Sequence, residues 1–308
     1  MMIRTLSAAL AILSALPTTA IAQSLAPTSL VPGDGDYVIA PDIVPRTFKL
    51  HVPASYDGTL AVPLVLDFHG FSSTAEEERS VSGQLQQSDK RGFIVVYPEG
   101  LARSWNGYGC CSTSKATEVP DVHFARAIID WVKARAKIDA TRVYVTGISN
   151  GGSMAHRMAC EAADVVRASA AVSFPLNLDK CTPRRPITMF SIAGTADTTI
   201  PYDGSKPDAP VSNIAGVPVR IQSAPASLAA WKANDSCSST LASRAVIPDR
   251  VLEDVYTDCA GGVRTGLLTI VGGRHVLYNG YRGPTLSYSG DNAPIDVSEY
   301  IWTTVFTQ

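Results

Sequence analysis

The most chemically informative part of the chain is the run Val143-Tyr-Val-Thr-Gly147-Ile-Ser149-Asn-Gly151-Gly152. It contains a Gly-x-Ser-x-Gly motif that follows a β-branched stretch and precedes a segment able to form a helix. In this arrangement the serine occupies a strained turn above a sheet, and the glycines avoid clashes between strand, turn and helix. The helix that begins there points free N–H groups at the place where an oxyanion would form. A simple Gly-Ser turn is the alternative, but the flanking strand and helix favour a nucleophilic serine.

A nucleophilic serine needs a base, and in this arrangement the chain order is serine, then an acid, then histidine. Of the five histidines, only His156 and His275 follow Ser149. His156 lies seven residues on, about two turns along the same helix, which favours a structural or solvent-facing role. His275 follows a predicted strand at residues 267–271 and lies in a loop near the C-terminus. We therefore predict that His275 is the base.

The acid that orients this base should also lie at a strand end. Asp197 follows the predicted strand at residues 187–192, within Ala193-Gly-Thr-Ala-Asp197. Asp203, in Pro201-Tyr-Asp-Gly, is the competing carboxylate, although its surroundings are more typical of a turn. A capping or turn role for Asp197 also stays open. The prediction is a triad of Ser149, Asp197 and His275.

Backbone N–H groups must stabilise the oxyanion that such a triad would generate. His69-Gly-Phe71 follows the first apolar strand, and Asn150 follows the serine. The N–H groups of Phe71 and Asn150 are the predicted donors of an oxyanion hole, in which one donor is typically worth about 3 kcal/mol. For His69 the alternative is a polar residue that only ends the strand.

Aromatic residues lie close to these segments. Trp105 and Tyr108 belong to a glycine-rich loop after a predicted strand, where α/β sheets bind ligands. Tyr278 and Tyr281 follow the predicted base. An exposed aromatic ring can stack on a phenolic group or a sugar, and it can equally pack a loop. We predict Trp105, Tyr108 and Tyr278 as substrate-binding residues, with loop packing as the alternative.

Strand-like and helix-like segments alternate along the chain. Residues 24–36 look like a flexible lead-in, and residues 46–52 like an edge strand. Apolar strands are predicted at residues 62–68, 93–97, 142–146, 168–172, 187–192 and 267–271. Helices are predicted at residues 76–87, 121–136, 151–161 and 295–306. This alternation predicts an α/β fold with a mainly parallel sheet covered by helices on both faces.

Composition narrows the classes of protein. The chain has 308 residues, 45% hydrophobic and 18% charged, so it has ample material for one large domain and is too apolar for charge-driven disorder. A net charge of −2 gives no electrostatic attraction to nucleic acid. Residues 1–22 have the layout of a secretory signal peptide: Arg4, an apolar run, then Ala20-Ile-Ala22. We expect a single domain over residues 23–308 that is soluble, secreted to the extracellular space or to the periplasm, and binds neither membrane nor nucleic acid.

An oxidising compartment favours disulfides for the six cysteines. Proximity along the chain pairs Cys160 with Cys181 and Cys237 with Cys259. Cys110 and Cys111 are adjacent, and a bond between neighbours would close a small strained ring. Two free thiols or a cross-pairing are the alternatives for these two residues. No Cys-x-x-Cys with matching histidine spacing indicates a metal site.

In combination, several motifs resemble those of secreted polyhydroxybutyrate-depolymerase-like esterases, which include LpqC-type proteins and feruloyl esterases. The matching runs are Arg46-Thr-Phe-Lys-Leu-His-Val-Pro53, Leu66-Asp-Phe-His-Gly70, Val96-Tyr-Pro-Glu-Gly100, Ser104-Trp-Asn106, Ile148-Ser-Asn-Gly-Gly152, Gly194-Thr-Ala-Asp197 and Ile200-Pro-Tyr-Asp-Gly204. The resemblance implies an α/β-hydrolase fold and a serine esterase without a cofactor. It implies hydroxycinnamoyl esters of plant cell walls, including xylan, or short polyesters as substrates. Many relatives continue from the histidine through Thr-Trp-Pro-Gly, whereas this chain has His275-Val-Leu-Tyr-Asn-Gly280.

Three classes of function follow from this pattern. The first is a secreted carboxylic ester hydrolase, with a feruloyl-type substrate favoured over a polyhydroxyalkanoate. The second is a peptidase of the same fold that uses the same triad. The third is a binding protein that keeps the fold without catalysis, and the set Ser149, Asp197 and His275 argues against it. We expect a monomer.

Overall fold

The strands of the described part of the chain form one ten-stranded sheet and one short hairpin. The computed structural model describes residues 29–108, 112–176, 181–205, 212–214, 217–238, 240–279 and 294–306. The strands are β1 (Gly33–Ile39), β2 (Arg46–Val52), β3 (Val62–Phe68), β4 (Ile94–Pro98), β5 (Ile138–Ile148), β6 (Ala168–Val172), β7 (Thr188–Gly194), β8 (Ser212–Ile214), β9 (Val217–Val219), β10 (Ala242–Ile247), β11 (Val251–Tyr256) and β12 (Thr265–Ile270). Their spatial order in the large sheet is β1-β2-β4-β3-β5-β6-β7-β12-β11-β10, and β8 pairs with β9.

The centre of the sheet is parallel. Strands β4, β3, β5, β6, β7 and β12 run in one direction, while β1, β2, β11 and β10 add antiparallel pairs at the two sides. This confirms the mainly parallel α/β sheet that the sequence predicts. Because parallel strands end at the same edge of a sheet, the loops after β3, β5, β7 and β12 meet there.

Helices cover both faces of this sheet. They are α1 (Ala75–Val81), α2 (Gln84–Arg91), α3 (Ser112–Ala116), α4 (Asp121–Lys133), α5 (Asn150–Glu161), α6 (Ala224–Asn234) and α7 (Val297–Tyr300), with a π-helical turn at Ile301–Val305. On β3, Leu64 and Leu66 face the layer that contains α4 and α5, whereas Val65 faces the layer that contains α1 and α7. Burial on both faces explains why the central strands are almost continuously apolar.

The sequence-based picture of the N-terminal region was wrong in two places. Residues 33–36, predicted as the end of a flexible lead-in, belong to strand β1, which pairs antiparallel with all of β2, so β2 is not the edge. Tyr37 in β1 packs on Trp131 of α4, with ring centroids 4.7 Å apart. The single helix predicted at residues 76–87 is two helices, because Gly83 adopts the left-handed conformation at φ 78°. Both differences arise from tertiary contacts and a local glycine rather than from hydrophobic periodicity.

Candidate active site

Ser149 occupies a tight turn between β5 and α5. Its backbone has φ 55° and ψ −119°, a conformation that non-glycine residues rarely adopt. The Ser149 N–H donates to the carbonyl of Val172 at 2.8 Å, and the Ser149 carbonyl accepts from the Ser153 N–H at 2.9 Å. Strand β6 and the first turn of α5 therefore hold the strained residue from both sides, as expected for a nucleophile at the end of a strand.

The glycines around Ser149 are required by close backbone contacts. A Cβ atom on Gly147 would lie 2.5 Å from the carbonyl oxygen of Phe68, and one on Gly151 would lie only 1.9 Å from that oxygen. A Cβ atom on Gly152 would lie 2.7 Å from the carbonyl oxygen of Val172. Larger residues would push α5 away from β3 and β6, so the Gly-x-Ser-x-Gly-Gly run is a packing requirement of this turn.

Asp197 and His275 meet at the same edge of the sheet, on the loops after β7 and β12. The His275 Nδ1 atom lies 2.7 Å from Asp197 Oδ2, and the Asp197 side chain is almost fully buried. The other carboxylate oxygen of Asp197 accepts from the N–H groups of Thr199 and Ile200, both at 2.8 Å. One oxygen of the Asp197 carboxylate thus accepts from the N–H groups of the following turn, and the other contacts His275. The competing residue, Asp203, is exposed in a turn.

The predicted oxyanion donors belong to two segments, the start of α5 and the turn after β3. Asn150 is the first residue of α5, so its N–H is one of the N-terminal donors that have no acceptor within the helix. Phe71 lies in the turn after β3 and is partly buried. His69 is fully buried; its Nδ1–H donates to the Gly70 carbonyl at 2.8 Å and its Nε2 accepts from the Gly100 N–H at 3.0 Å. Burial lowers the pKa of His69 to about 4, so the ring is neutral.

The aromatic residues do not form the exposed surface that the sequence predicted. Trp105 is fully buried and Tyr278 is 2% exposed, so the expectation of an exposed stacking ring is wrong at both positions. The Tyr278 hydroxyl donates to the Arg274 carbonyl, and burial next to the Asp197 carboxylate raises the pKa of the phenol. Tyr278 therefore packs the loop that carries His275. Glycine-rich loops with aromatics are compatible with both stacking and packing, and only the tertiary structure separates them.

Tyr108 retains partial exposure. Its ring lies 5.8 Å from the Arg157 guanidinium, and burial together with the nearby Glu161 carboxylate raises the pKa of its hydroxyl. Tyr281 lies outside the described residues. Of the three residues predicted to bind substrate, Trp105 and Tyr278 are buried and Tyr108 is partly exposed.

His156 has the structural role that its spacing predicted. It is buried, its Nε2 lies 3.1 Å from the Phe174 carbonyl, and its Nδ1 accepts from the indole N–H of Trp231 at 3.1 Å. Burial lowers the pKa of His156 to about 3, so it stays neutral. The two ring nitrogens of His156 thus have partners other than Asp197, namely the Phe174 carbonyl and the Trp231 indole.

Two of the expected disulfides are present. Cys160 bonds to Cys181 and Cys237 bonds to Cys259, as proximity along the chain predicted. Cys110 and Cys111 lie outside the described residues, as do residues 1–22. The described ranges contain no group of three or more metal-ligating side chains and no helix long and apolar enough to cross a membrane.

An apolar cluster that includes Ile200, whose N–H donates to Asp197, was not predicted from the sequence. It consists of Phe71, Phe174, Ile200, Val219 and Ile221. Phe174 follows β6 and Ile200 follows the acid loop, so both could have been found from their places after parallel strands. Val219 belongs to the β8–β9 hairpin, which carries too few residues for a periodicity signal. Phe71 and Ile200 connect this buried cluster to the turn after β3 and to the loop that follows Asp197.

This sheet order, with a strained serine after β5 and an Asp–His pair after β7 and β12, defines an α/β-hydrolase. A family model described as a putative esterase matches residues 44–255, and the chain belongs to this esterase family.

Individual relatives and structures agree with this assignment. Feruloyl esterase B of Piromyces equi is 30% identical over 247 residues, which cover 77% of this chain and 44% of that protein. Poly(3-hydroxyalkanoate) depolymerase C of Paucimonas lemoignei is 30% identical over 132 residues, which cover 42% of this chain and 31% of that protein. The chain thus spans less than half the length of these relatives. An acetyl xylan esterase from Aspergillus awamori has the same fold, with a TM-score of 0.56, 14% identity, and coverage of 78% of this chain and 94% of that chain.

Proposed function

We propose that the chain is a carboxylic ester hydrolase that works through a covalent acyl-enzyme formed on Ser149. The observation that carries this proposal is the convergence of three loops at one edge of the sheet. The strained Ser149 lies at the end of β5, and the Asp197–His275 hydrogen bond of 2.7 Å lies across the ends of β7 and β12. A buried acid bonded to one nitrogen of an imidazole is the arrangement that prepares the other nitrogen to accept a proton.

The reaction follows from this geometry. With Nδ1–H donating to Asp197, the Nε2 atom of His275 takes the proton of the Ser149 hydroxyl as the oxygen attacks the ester carbonyl. The N–H groups of Phe71 and Asn150 stabilise the resulting oxyanion. His275 then gives its proton to the departing alkoxide, which leaves the acyl group on Ser149. Water repeats the same steps, with His275 as base and then acid, and releases the carboxylic acid.

The apolar cluster supports an apolar or aromatic acyl group. Phe71, in the turn that carries the first proposed oxyanion donor, is half-buried and packs on the cluster, whose other members are buried. The surface that this cluster offers to the acyl part of a bound ester is therefore the exposed part of the Phe71 ring, which is apolar and aromatic. This environment suits a hydroxycinnamoyl group, which agrees with the name of the fungal relative. We therefore propose hydroxycinnamoyl esters of plant cell-wall polysaccharide as the substrates.

A polyester is the second candidate substrate. The observation in its favour is the 30% identity to a poly(3-hydroxyalkanoate) depolymerase over 132 residues. The same triad would hydrolyse either bond, because both are carboxylic esters. Only the acyl and alcohol pockets would distinguish them.

We also propose that the protein acts outside the cytoplasm. The disulfides Cys160–Cys181 and Cys237–Cys259 support this location, because such bonds persist in oxidising compartments. N-terminal sequencing of the mature product tests it, with a start near Gln23 expected and a start at Met1 in secreted material contradicting it.

The function is tested with methyl ferulate, a series of nitrophenyl esters, a peptide amide and a polyhydroxybutyrate film. We expect turnover of methyl ferulate and of nitrophenyl esters, and a Ser149→Ala variant that folds normally with a rate at least about 10⁴-fold lower. Clearing of the film without methyl ferulate turnover would select the polyester. Cleavage of the peptide alone would select a peptidase, and near wild-type activity of the Ser149→Ala variant would refute the mechanism.

A further inference from the structure

The loop of residues 99–106, which we call the bridging loop, follows β4 and contains none of the triad residues. Nevertheless, it is hydrogen-bonded to both segments that carry the proposed oxyanion donors. One segment is the oxyanion loop at residues 69–71, and the other is Asn150 at the start of α5. At the centre of the bridging loop is Trp105, a fully buried side chain.

The first set of contacts joins the bridging loop to the oxyanion loop. The indole N–H of Trp105 donates to the His69 carbonyl at 2.9 Å, and the Gly100 N–H donates to His69 Nε2 at 3.0 Å. The Trp105 ring also packs against the His69 ring and against Phe68, with centroids 4.9 and 5.1 Å apart. The peptide that leads into the first donor, Phe71, is thus fixed by the tryptophan.

The second set of contacts joins the same residue to the second donor. The main-chain N–H of Trp105 donates to Asn150 Oδ1 at 2.6 Å, and Asn150 Nδ2 donates to the main-chain carbonyl of Trp105 at 3.0 Å. This reciprocal pair uses both ends of the Asn150 amide, so its side chain is held in one orientation. Trp105 is therefore hydrogen-bonded to both donor segments: to His69 through its indole and to Asn150 through its main chain.

The bridging loop is itself anchored from outside. The Asn106 N–H donates to Asp121 Oδ2 at 2.7 Å, and the Asn106 carbonyl accepts from Arg157 at 2.6 Å. Asp121 is in turn bonded to the buried Arg46 at 2.8 Å. Because helices α4 and α5 and strand β2 supply these anchors, Trp105 is presented in a fixed position rather than on a mobile loop.

We propose that Trp105 is a positioning residue that sets the spacing and direction of the two oxyanion N–H donors. The proposal rests on the esterase function proposed above. It replaces the substrate-stacking role that the sequence predicted for this tryptophan. Oxyanion donors act only when they point at the place where charge develops, so a small displacement costs rate without weakening ground-state binding.

The first test is the Trp105→Phe variant, which removes the indole N–H and keeps a smaller aromatic ring. We expect kcat to fall by about 10- to 100-fold, in line with the effect of small misplacements, while KM changes by less than about threefold. Trp231→Phe is the matched control, because it removes another buried indole N–H, the one bonded to His156. The control should lose similar stability and keep kcat near wild type. Equal kcat in Trp105→Phe and wild type would overturn the proposal.

A second readout separates positioning from general damage. A boronic acid forms an anionic tetrahedral adduct with the serine, whereas the carboxylate product does not. Trp105→Phe should weaken boronic acid inhibition by about the same factor as kcat and leave product inhibition unchanged. Parallel loss of both would assign a merely structural role. If the variant fails to fold, replacement of Trp105 by 3-benzothienylalanine, which keeps the shape and lacks the N–H, carries the same expectations.

A double-mutant cycle with Asn150→Ala tests whether the two contacts act together. Trp105→Phe removes the indole bond to the His69 carbonyl and keeps the main-chain pair with Asn150, whereas Asn150→Ala removes that pair. If both contacts hold the same bridging loop, the combined loss in kcat should be smaller than the product of the single losses. Independent, fully multiplicative losses would refute a common bridge. These results are interpretable only if the wild type turns over ester and Ser149→Ala does not. Failure of that condition would refute the proposed function, whereas an active wild type with an indifferent Trp105→Phe variant would refute the bridge alone.

Discussion

A buried carboxylate at the end of α6 should make the stability of the protein depend on pH. Asp235 is fully buried; its Oδ1 accepts from the Ile187 N–H at 3.0 Å, and its Oδ2 has no hydrogen-bond partner among the described residues. Burial raises the pKa of Asp235 to about 7. Because the folded-state pKa lies above the ordinary value, the folded protein binds this proton more tightly than the unfolded chain does.

The sign and the size of the effect follow from that difference. The stabilisation is fully present below pH of about 4, where Asp235 is protonated in both states, and it is lost as pH rises to about 7. A difference of about three pKa units sets an upper limit of about 4 kcal/mol on the loss. An Asp235→Asn variant cannot ionise, so it should not show this loss. Its amide can still accept from Ile187, and any cost of its extra N–H groups is independent of pH.

The assay is urea unfolding with the disulfides intact, at pH values from about 4 to 8. We expect the stability of Asp235→Asn relative to wild type to increase as pH rises to about 7 and then to stay constant. Asp258→Asn is the matched control for removal of an exposed carboxylate nearby, because Asp258 lies two residues before Ala260, whose N–H donates to the Asp235 carbonyl. This control should not reproduce the rise in relative stability expected for Asp235→Asn. A pH-independent difference between Asp235→Asn and wild type would refute the argument.

Three further changes probe other parts of the fold. Gly151→Ala should prevent folding or destabilise by more than about 3 kcal/mol, since its Cβ would lie 1.9 Å from a strand carbonyl, and a wild-type melting temperature would contradict this. Burial lowers the pKa of His69 to about 4 and that of His156 to about 3. The C2–H resonances of both rings should therefore keep a constant chemical shift between about pH 5.5 and 8 in NMR spectra, in which His→Asn variants identify each resonance. In the Cys237→Ser, Cys259→Ser double variant, the free energy of unfolding measured by calorimetry should fall by about 3 kcal/mol, while turnover is retained in the cold. An unchanged free energy of unfolding would contradict this stabilising role of the disulfide.

The sequence predicted those features of the fold that depend on local patterns. Continuous apolar runs such as residues 62–68 located the central strands, because burial on both faces leaves no polar side. It did not predict β1, whose pairing partner is set by contacts with β2 and with Trp131. The β10–β11 hairpin was also missed, although the alternating burial of Val251–Tyr256 is a weak period-2 signal. Its place beside β12 depends on pairing that no local window contains.

The candidate site shows the same division. Ser149, Asp197 and His275 were predicted as a triad from residue type, chain order and position after strands, and the structure places Asp197 and His275 in contact. Trp105 and Tyr278 were assigned to substrate because sequence reveals that a loop is aromatic, not which way its rings point. Their burial depends on distant partners, such as the His69 carbonyl for Trp105.

The order in which the sheet is assembled has a consequence for the timing of activity during synthesis. The strands that present the oxyanion loop and Ser149 are β3 and β5, but His275 follows β12, which lies beside β7 in space. His275 is made 126 residues after Ser149 (275 − 149). At typical ribosomal rates of 5–20 residues per second, that separation corresponds to about 6–25 seconds. Under the mechanism proposed above, a nascent chain contains its serine well before it contains the base, so the proposed reaction requires translation at least through His275.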